Sequence, residues 1–223
     1  ELRSASGRVG GQAAKMVRAE QMGRFGGVSK ACAYAMAVAE SNACMGKIVA
    51  APTAGSCGIL PGALLAVQEE EHFSEDELIS ALFAAAGIGR VIALEATISG
   101  AEGGCQAECG AAAAMAAAAL TQLYGGTPKQ ACDACSFALM NMLGLVCDPV
   151  CGLVEIPCVY RNVGGVSQAF AAAQLALSGV SCPIPGDEVI LTMKDVGDAL
   201  PASLRETGEG GCAGCRSMQI KNP

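Results

Sequence analysis

Apolar residues recur along this chain at mixed spacings of three and four, and no stretch sustains an alternation of period two. That pattern predicts helices over 12–24 and 28–49, both rich in the strong helix formers Ala, Met and Glu. Ser74-Glu-Asp-Glu77 is a capping box, in which hydroxyl and carboxylate satisfy orphan N–H groups at the start of a helix running towards Ile98. Thr127-Pro-Lys-Gln130 repeats the device with Pro at the first helical position, and Gly144 suits the stop. Further helices are predicted over 105–124, 163–177 and 187–199, with a short one over 201–207. Glycines gather at 55–62, 100–104, 125–126, 164–165 and 208–211, which read as the joints. The expected fold is all-α, a compact Ala/Gly-rich helical domain with closely approaching helices around a central site. No repeat or linker interrupts it, so residues 1–223 are read as one domain.

Composition sharpens this. With 52% hydrophobic and 16% charged residues there is material for a large core, but 4% aromatic content and no Trp leave it to Ala, Leu, Val, Ile and Met. A formal charge of -7 and the lack of any Lys/Arg cluster interleaved with aromatics exclude a nucleic-acid partner. The run 81–100 is interrupted by Arg90 and Glu95 and the run 110–123 is short and Ala-rich, so both are expected to be buried helices and no membrane is expected. Glu1 opens directly into Gly-rich sequence, as in a fragment or processed chain that lacks an N-terminal portion. The 13 cysteines are odd in number and sit in helical segments without a secretory signal, which points to a reducing, cytoplasmic setting and thiols available for metal, catalysis or packing.

Several thiols could carry chemistry. Cys132-Asp-Ala-Cys135 and Cys212-Ala-Gly-Cys215 share C-x-x-C spacing, and two such pairs can hold tetrahedral zinc, although they lie far apart and Cys132 and Cys135 also read as small helical residues. Cys105 and Cys109 are four apart at the start of a helix, after the Gly-rich run Ser99–Gly104; the helix dipole favours thiolate most at Cys105. Cys147 precedes Asp-Pro and Cys158 follows Ile-Pro, so both are expected in stiff, irregular backbone that can aim a ligand, with Cys151 a rival between them. Three thiolates on a 4Fe-4S cluster leave one iron open as a Lewis acid. The loop Ala51-Pro-Thr-Ala-Gly-Ser-Cys-Gly-Ile-Leu-Pro-Gly62 offers Thr53 and Ser56 hydroxyls and, through Gly55, a tight turn with N–H groups for an anion such as a carboxylate. His72, the only His, follows three Glu at a helix end and reads as a solvated residue.

That loop, with Ser99-Gly-Ala-Glu102, Gly104-Cys-Gln-Ala-Glu108, Cys147-Asp-Pro-Val150, Gly152-Leu-Val-Glu-Ile-Pro-Cys-Val159, Arg161-Asn162 and Leu204-Arg-Glu-Thr-Gly208, resembles the α subunit of the iron-sulfur L-serine dehydratases. The likeness runs in order from about residue 7 to about residue 211. It implies Cys105, Cys147 and Cys158 as ligands of a 4Fe-4S cluster, L-serine as substrate, elimination of water to give pyruvate and ammonia, and no pyridoxal phosphate. Cys57, Cys109, Cys151 and Cys212 depart from the family pattern and read as small buried residues; Cys215 or Cys212 is a candidate fourth ligand or tail plug. Glu102, Glu108 and Lys47 are the candidate bases. The Ser-Ser-Ser-His-Thr motif of the family's β subunit does not occur here, so the resemblance implies a β partner or a β domain. Two alternatives stay open: a related lyase acting on L-cysteine or another β-substituted amino acid, and a non-catalytic iron-sulfur or zinc protein.

Overall fold

A computed structural model describes residues 2–23 and 26–219. Among the described residues there are ten α-helices and no strand: α1 Gln12–Gln21, α2 Ser29–Ala43, α3 Ile59–Glu71, α4 Glu75–Glu95, α5 Gly100–Gly103, α6 Ala111–Leu123, α7 Pro128–Met140, α8 Cys158–Leu177, α9 Gly186–Ala199 and α10 Arg216–Gln219. At the centre stands α6, buried on every side from Ala111 to Thr121. Helices α3, α4, α7 and α8 surround it, α2 packs on α3 and α8, α1 on α2, and α9 on α7. An alanine helix can occupy a centre only if its neighbours come close, and glycines allow that. A Cβ on Gly62 of α3 would come within 2.8 Å of Ala35 N on α2, and one on Gly89 of α4 within 2.8 Å of Met115 Sδ on α6.

Both capping boxes form as expected, with Ser74 accepting from Glu77 N and Thr127 from Gln130 N. Elsewhere the boundaries move. Helix α2 stops at Ala43 rather than 49, because Met45 takes a left-handed conformation (φ 61°) and Gly46 N returns to Ser41 O at 2.8 Å. Helix α8 begins at Cys158 rather than 163, with Val159 N on Glu155 O at 3.0 Å. Gly164-Gly165 is therefore inside a helix and not a joint; a Cβ on Gly165 would meet Ile59 Cδ1 at 2.4 Å, so close packing overrides the low helix propensity of glycine. The stretch 106–110 is a π turn leading into α6, and the short helix over 201–207 shrinks to a 3-10 turn, Ala202–Leu204. Helix α4 is long and apolar enough to cross a membrane by length and composition. It buries Ala81, Ala85, Gly89 and Ile92 and exposes Ile79, Phe83 and Leu94 between its charged ends.

The N-terminal stretch braces the same end of the bundle that gathers the glycine-rich loops. Buried Glu40 of α2 accepts from Gly11 N and, at 2.7 Å, from Ala13 N, capping α1 from outside. Buried Glu155 accepts from Ser4 Oγ at 2.6 Å and Ser6 N at 3.2 Å, and Val9 packs on Val159 and Met36.

Candidate active site

Five segments meet at the N-terminal ends of α6 and α8. Gly104 turns the chain after α5 with φ +75°, which leaves Cys105 at the head of the π turn; a Cβ there would strike Leu200 Cδ1 at 2.7 Å. Buried Gln106 locks that turn, donating to Met193 O of α9 at 2.9 Å and accepting from Gly144 N at 2.8 Å. The segment at Cys147 is pinned by the tail: Cys147 N donates to Leu204 O at 2.9 Å and Glu206 N to Cys147 O at 2.7 Å. Cys158 is the first residue of α8, not part of irregular backbone as its Ile-Pro context predicts, and its aim is set by the helix start. Cys105, Cys147 and Cys158 are 2%, 4% and 8% exposed.

Their thiols share one electrostatic neighbourhood. Burial, with Cys105 and Glu108 nearby, pushes the Cys147 thiol far up and Cys158 up to about 12. Cys105 goes the other way: the contact with Cys109, at 3.4 Å between sulfurs, and the Arg161 guanidinium hold it below its ordinary value against burial. Among the described residues no three His, Cys, Asp or Glu side chains converge closely enough to hold a single metal ion. The two C-x-x-C pairs therefore do not form a tetrahedral zinc site: Cys132 is exposed on α7 while Cys135 faces the core, and Cys212 and Cys215 lie in the tail. Three buried thiols from separate segments, with the Glu108 carboxyl beside them, fit a thiolate-bound multi-iron body, and binding one would release the thiol protons.

The loop before α3 closes the other side. Thr53 hydrogen-bonds Glu108 and lies 3.1 Å from Ser56 Oγ. Glu108 is caught between two glycines: a Cβ on Gly55 would be 3.3 Å from its oxygens, and one on Gly100 would meet Glu108 Oε2 at 2.8 Å and Cys147 Sγ at 3.0 Å. Burial raises the Glu108 carboxyl above its ordinary value; Thr53 opposes this and Glu206 adds to it. The other two candidate bases lie elsewhere. Glu102 is exposed and accepts from Thr97 Oγ1 at 2.5 Å, and Lys47 is exposed beside Ile48 and Val49.

The chain as a whole matches the family described as serine dehydratase alpha chain over residues 1–213. This chain belongs to that family. It is 53% identical to the L-serine dehydratase, alpha chain, of Peptoniphilus asaccharolyticus over 86% of this chain and 66% of that protein. It is 50% identical to a probable L-serine dehydratase, alpha chain, of Bacillus subtilis (strain 168) over 94% and 71%. It is 46% identical to L-serine dehydratase 1 of Escherichia coli (strain K12) over 81% of this chain but only 40% of that longer protein.

Sequence reasoning quoted Arg161-Asn162 and Asp148 as parts of motifs without giving them work. Asn162, 1% exposed, is the clamp of the site: Nδ2 donates to Gly55 O at 2.8 Å and Cys158 O at 3.0 Å, and Oδ1 accepts from Gly58 N at 2.8 Å. The sequence does carry a signal, an amide one helical turn after Cys158 on an otherwise apolar face. Arg161 donates to Val146 O at 2.7 Å and pairs with Asp148 Oδ1 at 2.8 Å. Asp148 Oδ2 accepts from Cys212 N at 2.6 Å; burial works against its ionisation, but this bond and Arg161 hold the carboxyl below its usual range. Of the four departing cysteines, Cys57 and Cys109 are buried, Cys212 is half-buried, and Cys151 is exposed at φ 58° with Arg8 Nη1 3.8 Å from its sulfur, so it is not the small core residue its family position suggests. Cys215 faces outward, 3.9 Å from Gly211 O.

Asp148 thus ties the tail to the thiol site. Asp148→Ala leaves the Arg161 guanidinium without its carboxylate and Cys212 N without its acceptor, a loss of about 3–5 kcal/mol for a buried pair. The expected result is faster tryptic cleavage after Arg205 and Arg216 under native conditions; a cleavage rate equal to that of the unsubstituted protein would contradict the tether.

Proposed function

We propose that this chain is the catalytic alpha part of an L-serine dehydratase, which eliminates water from L-serine to give pyruvate and ammonia. The observation that carries the reading is the convergence of buried Cys105, Cys147 and Cys158, from three separate segments, on a site that also contains Glu108 and Arg161. Relatives named L-serine dehydratase support it. The three thiolates would hold a 4Fe-4S cluster, which when bound supplies an iron open to a non-protein ligand and makes hydroxide a better leaving group.

The chain's own residues do the rest. Asn162 holds the loop whose Gly55 turn, with Thr53 at Glu108, is the seat of the substrate carboxylate, while buried Ser56 braces Thr53 from behind. Glu108 accepts the proton from Cα; the electrons of that C–H bond become the Cα–Cβ double bond as hydroxide leaves Cβ. The aminoacrylate so formed tautomerises to an imine, and water hydrolyses it to pyruvate and ammonia. The glycine-lined setting of half-buried Glu108 raises its carboxyl above its ordinary value, which makes it a better proton acceptor. Relatives carrying the name alpha chain support a β partner that completes the site, and the 13 cysteines, odd in number and set in helical segments, support a reducing, cytoplasmic setting.

The test is anaerobic preparation with iron and sulfide, with and without a β chain, followed by assay of pyruvate from L-serine, L-threonine and L-cysteine. L-Serine is expected to be the best substrate, with iron and sulfide bound. Zinc without sulfide in an active-site-intact preparation, or turnover of L-cysteine alone, would overturn the reading.

A further inference from the structure

Cys109 has no part in the chemistry proposed above, yet it is 1% exposed and its sulfur lies 3.4 Å from that of Cys105. No other pair of sulfurs among the described residues is joined by a hydrogen bond. An S–S bond needs the two atoms about 1.4 Å closer, within reach of a side-chain rotation and a small backbone adjustment. Both residues belong to the π turn Gln106–Gly110 and its cap at Cys105, so the closing movement falls on the two side chains while Gln106 holds the turn. We infer that Cys105 and Cys109 form a reversible disulfide when the protein is without its metal centre, with a hydroperoxide as oxidant, and that the bond withdraws Cys105 from the ligand set.

The step balances. The Cys105 sulfur attacks one oxygen of hydrogen peroxide, the O–O bond breaks, water leaves with the thiol proton, and Cys105 carries S–OH. The Cys109 sulfur then displaces that hydroxyl, which departs with the Cys109 proton as a second water while the S–S bond forms. The two thiols lose two electrons and two protons, and the peroxide takes them. A thiolate already bound to iron is not available for this, so the pair acts only in unloaded protein, shielding the ligand sulfur from oxidation that cannot be reversed.

The disulfide can be read directly, because residues 91–129 form one tryptic peptide, between Arg90 and Lys129, whose only cysteines are these two. Full-length protein is stripped of metal under reductant, desalted, treated with hydrogen peroxide, denatured, alkylated and digested. The expected peptide carries no alkyl group and weighs two hydrogens less than the dithiol; reduction before alkylation converts it to the doubly alkylated form, and Cys109→Val shows no such species. A doubly alkylated peptide after peroxide, or Cys105 bonded to a peptide from elsewhere in the chain, overturns the inference. The blocking of Cys105 rests on the cluster reading above. Peroxide-treated protein is therefore reloaded with iron and sulfide, and is expected to recover bound iron only after reductant, whereas Cys109→Ala, in which the Cys105 sulfenic acid has no resolving thiol and is oxidised further, recovers little iron even after reductant. If the disulfide forms and loading is nonetheless complete, the blocking is overturned and Cys105 is not a ligand, while the disulfide itself stands.

Discussion

Replacing Cys147 by Ser is expected to lower pyruvate formation from L-serine by about a thousandfold or more, and Cys105→Ser and Cys158→Ser are expected to do the same. A serine hydroxyl is close to isosteric but a poor soft-metal ligand, so the substitution removes a thiolate with little change in packing. A Lewis-acid metal centre lowers a barrier by several kcal/mol, and about 4 kcal/mol corresponds to three orders of magnitude in rate. Because the three sulfurs act as one site, a double substitution costs little more than a single one. Exposed Cys132 and Cys151 supply the controls: each replaced by Ser leaves activity within about twofold, as a surface change away from the site does. Activity and iron content are measured together with a thermal melt. A folded Cys147→Ser protein that keeps its iron and more than about a tenth of its activity would sink the three-thiolate site.

Much of the fold was legible because its signals are local. The capping boxes at Ser74 and Thr127 mark helix starts from a few residues of sequence, and both form. The misplacements arise where distant packing decides. Nothing near Gly164-Gly165 says that Ile59 will fill the space beside Gly165, and so the sequence predicts too late a start for α8. The same displacement sets Cys158 in stiff, irregular backbone rather than at the head of a helix. The π turn at 106–110 escaped because its apolar pattern differs from that of an α-helix by a single inserted residue.

For the site, the stiffness of the loops around Cys147 and Cys158 singled out the stretch, and the family resemblance chose the three thiols. Partners whose roles depend on the tertiary meeting of segments stayed hidden. Asp148 looks like one residue of an Asp-Pro turn until the tail returns to place Cys212 N on it. Asn162 looks like a stray amide until the loop of Gly55 and Gly58 arrives beside it. Glu102 and Glu108 lie symmetrically three residues to either side of Cys105, so sequence distance could not rank them. The left-handed Gly104 and the π turn break the symmetry: one carboxylate goes out to Thr97 and the other in to Thr53.

That separation gives the second large effect. Glu108→Gln is expected to lower kcat by about 100- to 10,000-fold, the range for loss of a positioned proton acceptor, with KM changed only a few-fold and bound iron unchanged. The amide keeps the volume between Gly55 and Gly100 and still accepts from Thr53, so the fold and the thiol site persist while the basic oxygen is lost. Glu108→Asp, one methylene shorter, is expected to fall between the two, since a carboxylate is retained but set back from the site. Thr53→Val removes the hydroxyl that orients the carboxyl and should cost less than Glu108→Gln, because the base itself remains. Glu102→Gln and Lys47→Ala should leave kcat within about twofold, as both side chains are solvent-facing. A loss in Glu102→Gln matching that in Glu108→Gln would reject Glu108 as the proton acceptor, because the two carboxylates occupy opposite sides of the turn that carries Cys105.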